Sequence, residues 1–234
     1  MLNESGVITK FPGMVAPTVP HDLFLYHNDF TEYAAGDWTV TTVEDTSTPC
    51  TEAIVADGSL GGYGVIKLST GDNADGGTQL QGPEIVKLDA GYPLHFSTRV
   101  YVTDTGIAEW CIGLATTDTT LIASGVQSTT DFIGFIGGTE AAADAMLFRC
   151  EKDGTAVNSS DIDIVDATWY KLDFCWDGVS KVYYYVDNVL KGTHATYIPN
   201  NEWLAVSVAV NNSTAATNDL AIDYITVLSQ PNRT

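Results

Sequence analysis

Between Trp169 and Gly192 apolar and polar side chains alternate with a period of two. Tyr170, Leu172, Phe174 and Trp176 share one face of an extended segment, and Lys171, Asp173 and Cys175 share the other. That periodicity is what a half-buried strand requires. Asp177-Gly178 supplies turn residues, and a second strand, Val182 to Val186, sets Val182, Tyr184 and Val186 against Tyr183 and Tyr185. Asp187-Asn188 then stands where a two-residue hairpin needs side chains that tolerate a left-handed backbone. The pattern predicts an antiparallel meander.

The same alternation predicts strands over Leu23–His27, Trp38–Val43, Thr51–Ala56, Tyr63–Ser69, Leu94–Val102, Ala108–Thr116, Phe132–Ile136, Ala145–Glu151, Asp161–Val165 and Trp203–Val210. In Leu94–Val102, Leu94, Phe96, Val100 and Val102 face one way, and His95, Ser97, Arg99 and Tyr101 the other. Thr78–Gln81 and Glu84–Leu88 read as two short strands, and Leu121–Ala123 as a weak one. A helical turn is expected only within Glu140–Ala145. Leu220–Leu228 is apolar on both faces apart from Asp223 and Thr226, which predicts a central strand. Many short strands separated by turn residues argue for an all-β, two-sheet antiparallel sandwich, one domain over residues 23–234. Residues 1–22 carry Pro12, Pro17 and Pro20, which disfavour helix. They read as an extended arm whose apolar handles include Val7, Ile8, Phe11, Met14 and Val15.

Length and charge narrow the function. A chain of 234 residues can bury a core without metal or disulfide support. The formal net charge is -20, with ten Lys plus Arg, so neither a nucleic-acid nor an anionic-membrane partner is expected. No apolar run reaches transmembrane length, and no secretion signal is expected at the amino terminus. Cys50, Cys111, Cys150 and Cys175 are widely spaced and read as buried structural thiols, not as a zinc or exchange motif. His21, His27, His95 and His194 lack metal-ligand spacing. Asp72-Asn73-Ala74-Asp75-Gly76-Gly77 has the alternating oxygen ligands of a Ca²⁺ loop without a downstream glutamate, so a plain turn and no cofactor are expected, with Ca²⁺ binding as the alternative. Tyr183 and Tyr185, turned away from the core face, are candidates for stacking on sugar rings.

WYKLDFCWDG, VYYYVDNVLKG and LAIDYITVL together resemble the concanavalin A-like lectin/glucanase jelly rolls, which include laminin-G-like modules. Asp29-Phe30, Ala35-Gly36-Asp37-Trp38 and Trp110-Cys111-Ile112-Gly113-Leu114-Ala115 resemble, more narrowly, virion proteins of tailed bacteriophages with this fold. That resemblance implies a jelly roll with an N-terminal arm, acting as a decoration protein on the capsid exterior after synthesis in the host cytoplasm. The major capsid protein would be the partner, held through Val7, Ile8, Phe11, Met14 and Val15, and a homo-oligomer such as a trimer is implied. A glycan-binding head- or tail-fibre module and a glucanase-like hydrolase are the alternatives. Glucanases of the superfamily carry an acid-x-acid-x-(x)-acid strand. Asp161, Asp163 and Asp166 match the spacing, but they are all aspartates and abut Trp169, later than the family motif. The expectation is therefore that the chain is not an enzyme.

Overall fold

The computed structural model describes residues 23–43, 48–55, 60, 64–123, 126–138 and 140–230. In chain order the strands begin with β1 (Phe24–Asn28), β2 (Thr39–Val43), β3 (Thr51–Ile54), β4 (Ile66–Ser69), β5 (Gly77–Val86) and β6 (Leu94–Val102). They continue with β7 (Ala108–Ala115), β8 (Ile122–Ala123), β9 (Val126–Gln127), β10 (Phe132–Gly137), β11 (Ala145–Lys152) and β12 (Thr155–Asn158). The last are β13 (Ile162–Asp163), β14 (Thr168–Trp176), β15 (Val182–Val186), β16 (Val189–His194), β17 (Leu204–Asn212) and β18 (Asp219–Ser229).

Two antiparallel sheets form a jelly-roll sandwich. Sheet I runs β16-β15-β14-β6-β18-β4-β3, with β1 also paired to β18. Sheet II runs β12-β11-β10-β7-β17-β5-β2, with β13 also paired to β11. The Trp169–Gly192 meander is β14, β15 and the start of β16. Its hairpin turn has Asp187 at φ 50° and Asn188 at φ 64°, the left-handed pair that a tight hairpin demands. The closing strand β18 is central, because it pairs with β6 along one edge and with β4 and β1 along the other.

Rings from both sheets meet in the core. Phe148 of β11 stacks on Tyr184 of β15 with centroids 4.6 Å apart, and lies 5.1 Å from Phe135 and 5.6 Å from Phe174. Phe174 in turn stacks on Phe96 at 4.8 Å. One side chain thus joins the meander to the opposite sheet.

Several expectations are corrected. Thr78–Gln81 and Glu84–Leu88 are not two strands: β5 is continuous over ten residues. Pro83 is accommodated because β2 pairs with β5 only as far as Gln81, and the β5–β17 register shifts opposite it. Glu140–Ala145 forms turns, with Ala141 N donating to Gly138 O and Ala145 N to Ala142 O, and no helix. Asp161–Val165 shrinks to the two-residue β13. Neither β12, nor β9, nor the 3₁₀ turn at Ala35–Asp37 is signalled by the alternation.

Sheet II is covered on its outer face as well. Cys111, Ala115, Phe132, Ile136, Leu147 and Ala209 form a second apolar cluster with Leu121 and Ile122 of the β8–β9 segment. Gln79 and Gln81 pin that segment. Each donates to a backbone carbonyl (Asp118 O, Thr116 O) and accepts a backbone amide (Leu121 N, Asp118 N). Gly113 and Gly134 are cross-strand partners beneath it. A Cβ on Gly113 would sit 2.2 Å from Ile133 O, and one on Gly134 2.3 Å from Ile112 O, so the two strands approach closer than side chains permit.

Candidate functional site

The outer face of sheet I has a different character. Strand pairing arranges it in rows. One row crosses Ala53, Lys67, Ala221, Tyr101 and Trp169. A second contains Thr226, Ser97, Asp173, Tyr185 and Leu190. A third contains Leu228, His95, Cys175, Tyr183 and Thr193. Between the first two lie Arg99 and Lys171, beside Asp223 and Tyr224, where a register shift in β18 brings both residues toward Arg99. The positions on β6, β14 and β15 follow from strand alternation, and those on β18 and β16 from alternation reset at a bulge.

Asp173 is the polar centre. It is 3 % exposed, with His95 Nε2 3.3 Å from its Oδ1 and Lys171 Nζ 3.0 Å from its Oδ2. Burial alone would raise its carboxyl, but hydrogen bonds from His95, Ser97 and Lys171 outweigh that and hold it below the ordinary carboxylate value. A depressed carboxyl contributes stability in full above its ordinary value of 3.8, and that contribution is lost as pH falls through the lowered folded value. Asp173→Asn should therefore be less stable than wild type at pH 5, with the gap closing on acidification toward pH 2 in urea titrations. A gap constant with pH would refute this account of Asp173.

The aromatic edge lies at the other end of the face. Tyr101 and Trp169 are half-buried, with centroids 5.5 Å apart and tilted by 50°. The Arg99 guanidinium sits 4.7 Å from the Trp169 ring centroid, a cation–π contact. Trp169 Nε1 donates to Leu60 O at 3.2 Å, which fixes the ring. Beside this pair opens a pocket of about 270 Å³, lined by Ile54, Leu60, Lys67, Tyr101 and Asp219 among others. Lys67 Nζ reaches Asp219 Oδ2 at 3.0 Å and Arg99 Nη1 reaches Asp223 Oδ2 at 3.1 Å. The cations of this face thus have aspartate partners, and the surface is locally balanced.

The sequence-derived candidates fare unequally. Tyr183 and Tyr185 do lie on this outer face, half-buried, and join Tyr101 and Trp169 across it. Trp169 was not singled out. Its signal was present in the alternation, which put it on the face of Lys171 and Asp173. The acidic triplet does not assemble as a catalytic strand. Asp166 Oδ1 accepts Thr105 N and Oγ1 at 2.7 and 2.6 Å. Asp161 Oδ1 accepts Ala142 N, and Asp161 and Asp163 border an open cleft of about 330 Å³ with Tyr184 and Lys191.

In the Asp72–Gly77 turn the carbonyls of Gly71 and Asn73 both accept from Asn212 Nδ2, at 2.5 and 3.4 Å. That amide ties the turn together from within, as a cation would. The four cysteines are buried and unpaired. Burial pushes the Cys111 and Cys175 thiols up to about 12, so both stay protonated at neutral pH. The arm residues Val7, Ile8, Phe11, Met14 and Val15 lie outside the described residues.

Comparison with known proteins bears on the class. No family model matches the chain, and no curated protein matches it. Solved structures do. A protein of unknown function from Shewanella oneidensis is 15 % identical, with TM-score 0.59 over 96 % of this chain and 98 % of its own. Bacillus licheniformis β-glucanase is 16 % identical, with TM-score 0.58 over 87 % and 97 %. Peanut lectin is 12 % identical, with TM-score 0.60 over 88 % and 97 %. The chain therefore has the concanavalin A-like lectin/glucanase jelly-roll fold. The narrower virion resemblance gains no support from these structures. They also correct the expectation that the chain is not an enzyme. Several similar structures are glycosidases or lyases, and the fold serves enzymes and non-enzymes alike, so it offers no ground for that exclusion.

Proposed function

We propose that the protein is a glycan-binding module and that its binding surface is the outer face of sheet I. The observation that carries this is the Tyr101–Trp169 pair beside an open pocket, on the same face as Tyr183, Tyr185 and the buried Asp173 network. Sugar recognition needs flat apolar ledges for the C–H faces of the rings and fixed polar groups for the hydroxyls. This surface supplies both on rigid strands. Lectin and glucanase fold neighbours are consistent with the reading. The sequence resemblance adds a finer proposal, that the module is carried on a tailed-phage particle; an antibody label on purified particles tests that placement.

The test is affinity electrophoresis against soluble polysaccharides, mixed-linkage β-glucan among them. Trp169→Ala should weaken retention roughly tenfold or more, as loss of an aromatic anchor does. Trp203→Ala, a 55 % exposed tryptophan elsewhere, should leave it unchanged. Retention by no polysaccharide, or equal loss in both variants, would refute the reading. Assaying the same mixtures for released reducing ends shows whether the chain cleaves what it binds.

A further inference from the structure

We infer that this face holds an extended, uncharged stretch of glycan chain across two separate aromatic platforms, and not a single terminal sugar. The inference rests on the glycan-binding reading above and adds the class of ligand. The first platform is Tyr101–Trp169. The second is Tyr183 with Tyr185, whose cross-strand partners on β14 are Cys175 and Asp173. Asp173 lies four positions along β14 from Trp169. At roughly 3.3 Å per residue and about 4.8 Å between strands, Trp169 and Tyr185 stand roughly 14 Å apart. One sugar ring reaches one platform only, so occupying both takes several linked rings.

The ground between the platforms is polar and fixed. Arg99 and Lys171 present partly exposed cations there, with Asp173 and Ser97 buried beside them, and Tyr224 Oη lies 3.3 Å from Ser97 Oγ. The guanidinium, the ammonium and the Tyr224 hydroxyl, side by side across the strands, offer hydrogen-bond donors to the hydroxyls of a chain lying over them. Charge selects against acidic polymers. Lys67, Arg99 and Lys171 each contact an aspartate, Asp219, Asp223 and Asp173 respectively. The chain as a whole carries -20, so a polyanion meets long-range repulsion with no compensating excess of positive charge on this face.

Isothermal titration with an oligosaccharide ladder from monomer to hexamer, cut from mixed-linkage β-glucan and from each other polysaccharide that is retained, tests the inference. Affinity should rise steeply beyond the disaccharide and level once both platforms are spanned. Trp169→Ala and Tyr185→Ala, with unchanged melting profiles, should each cost roughly thirtyfold for the hexamer. Neither should cost much more than the other. A carboxymethylated form of the same glucan should bind more weakly, the difference shrinking as salt is added. Equal affinity for monomer and hexamer, or loss only in Trp169→Ala, would overturn the two-platform site while leaving glycan binding intact. Tighter binding of the carboxymethylated glucan would overturn the preference for uncharged chains. Binding of no saccharide at any length would take down both readings.

Discussion

Phe148→Ala is expected to lower the free energy of unfolding by about 3–5 kcal/mol. Phe148 is fully buried and belongs to β11 of sheet II, yet its stacking partner Tyr184 and its neighbour Phe174 belong to sheet I. His194, at the far edge of sheet I, stacks on it as well at 5.8 Å. Truncation removes the ring's transfer free energy and leaves a cavity that four rings on two sheets border, Phe135, Phe174, Tyr184 and His194. Each of those rings is held by its own strand, so the gap cannot close by a local shift. For a sandwich of this size the loss corresponds to a fall in Tm of roughly 6–20 °C. Thermal and urea unfolding of Phe148→Ala and Phe148→Leu should show the leucine variant markedly less affected. Equal, small losses would mean that the two sheets are held together elsewhere.

A comparable loss, about 3–5 kcal/mol, is expected for Arg149→Met. Arg149 lies on the covered outer face of sheet II, between two carboxylates. Its Nη1 contacts Glu140 Oε1, and its Nε and Nη2 both lie 2.8 Å from Glu151 Oε2. Removing the guanidinium leaves Glu140 and Glu151 desolvated and facing like charge. Already in the native protein burial raises the Glu151 carboxyl, with Arg149 opposing. A carboxyl raised on folding favours the folded state below its unfolded value, and that contribution is lost as pH rises through the folded value. The deficit of Arg149→Met should therefore widen from pH 4 to pH 8. It should largely vanish when Glu140→Gln and Glu151→Gln are added, because an uncharged replacement of the whole group costs little. Urea melts across that pH range check both points. A pH-independent deficit would show that the methylene stem, not the charge, matters.

The sheet I face was half legible in the sequence. Alternation in Leu94–Val102 put His95, Ser97, Arg99 and Tyr101 together, and alternation after Trp169 did the same for Lys171, Asp173 and Cys175. Which strands lie side by side was not legible. β6 pairs with β14 across more than sixty residues of chain and with β18 across more than a hundred. Lys67 and Asp219, from β4 and β18, reach the same pocket as Tyr101 only because of that order. The acidic triplet misled for a related reason. Its spacing promised a strand face, but Asp166 lies beyond the end of β13 and binds Thr105.

The sequence by itself determined most of the longer strands, the left-handed hairpin at Asp187-Asn188 and the central place of Leu220–Leu228. Each depends on a few neighbouring residues: the two-residue pleat, the backbone tolerance of Asp and Asn, and apolar side chains on both faces. Only the tertiary structure decided which outer face stays open. Sheet II closes over because Leu121 and Ile122 find Phe132, Ile136 and Leu147, with Gln79 and Gln81 binding the segment's backbone. Sheet I keeps its tyrosines and Trp169 partly in solvent. Such pairings join segments far apart in the chain, and their energy exists only once the strand order has brought them within contact distance.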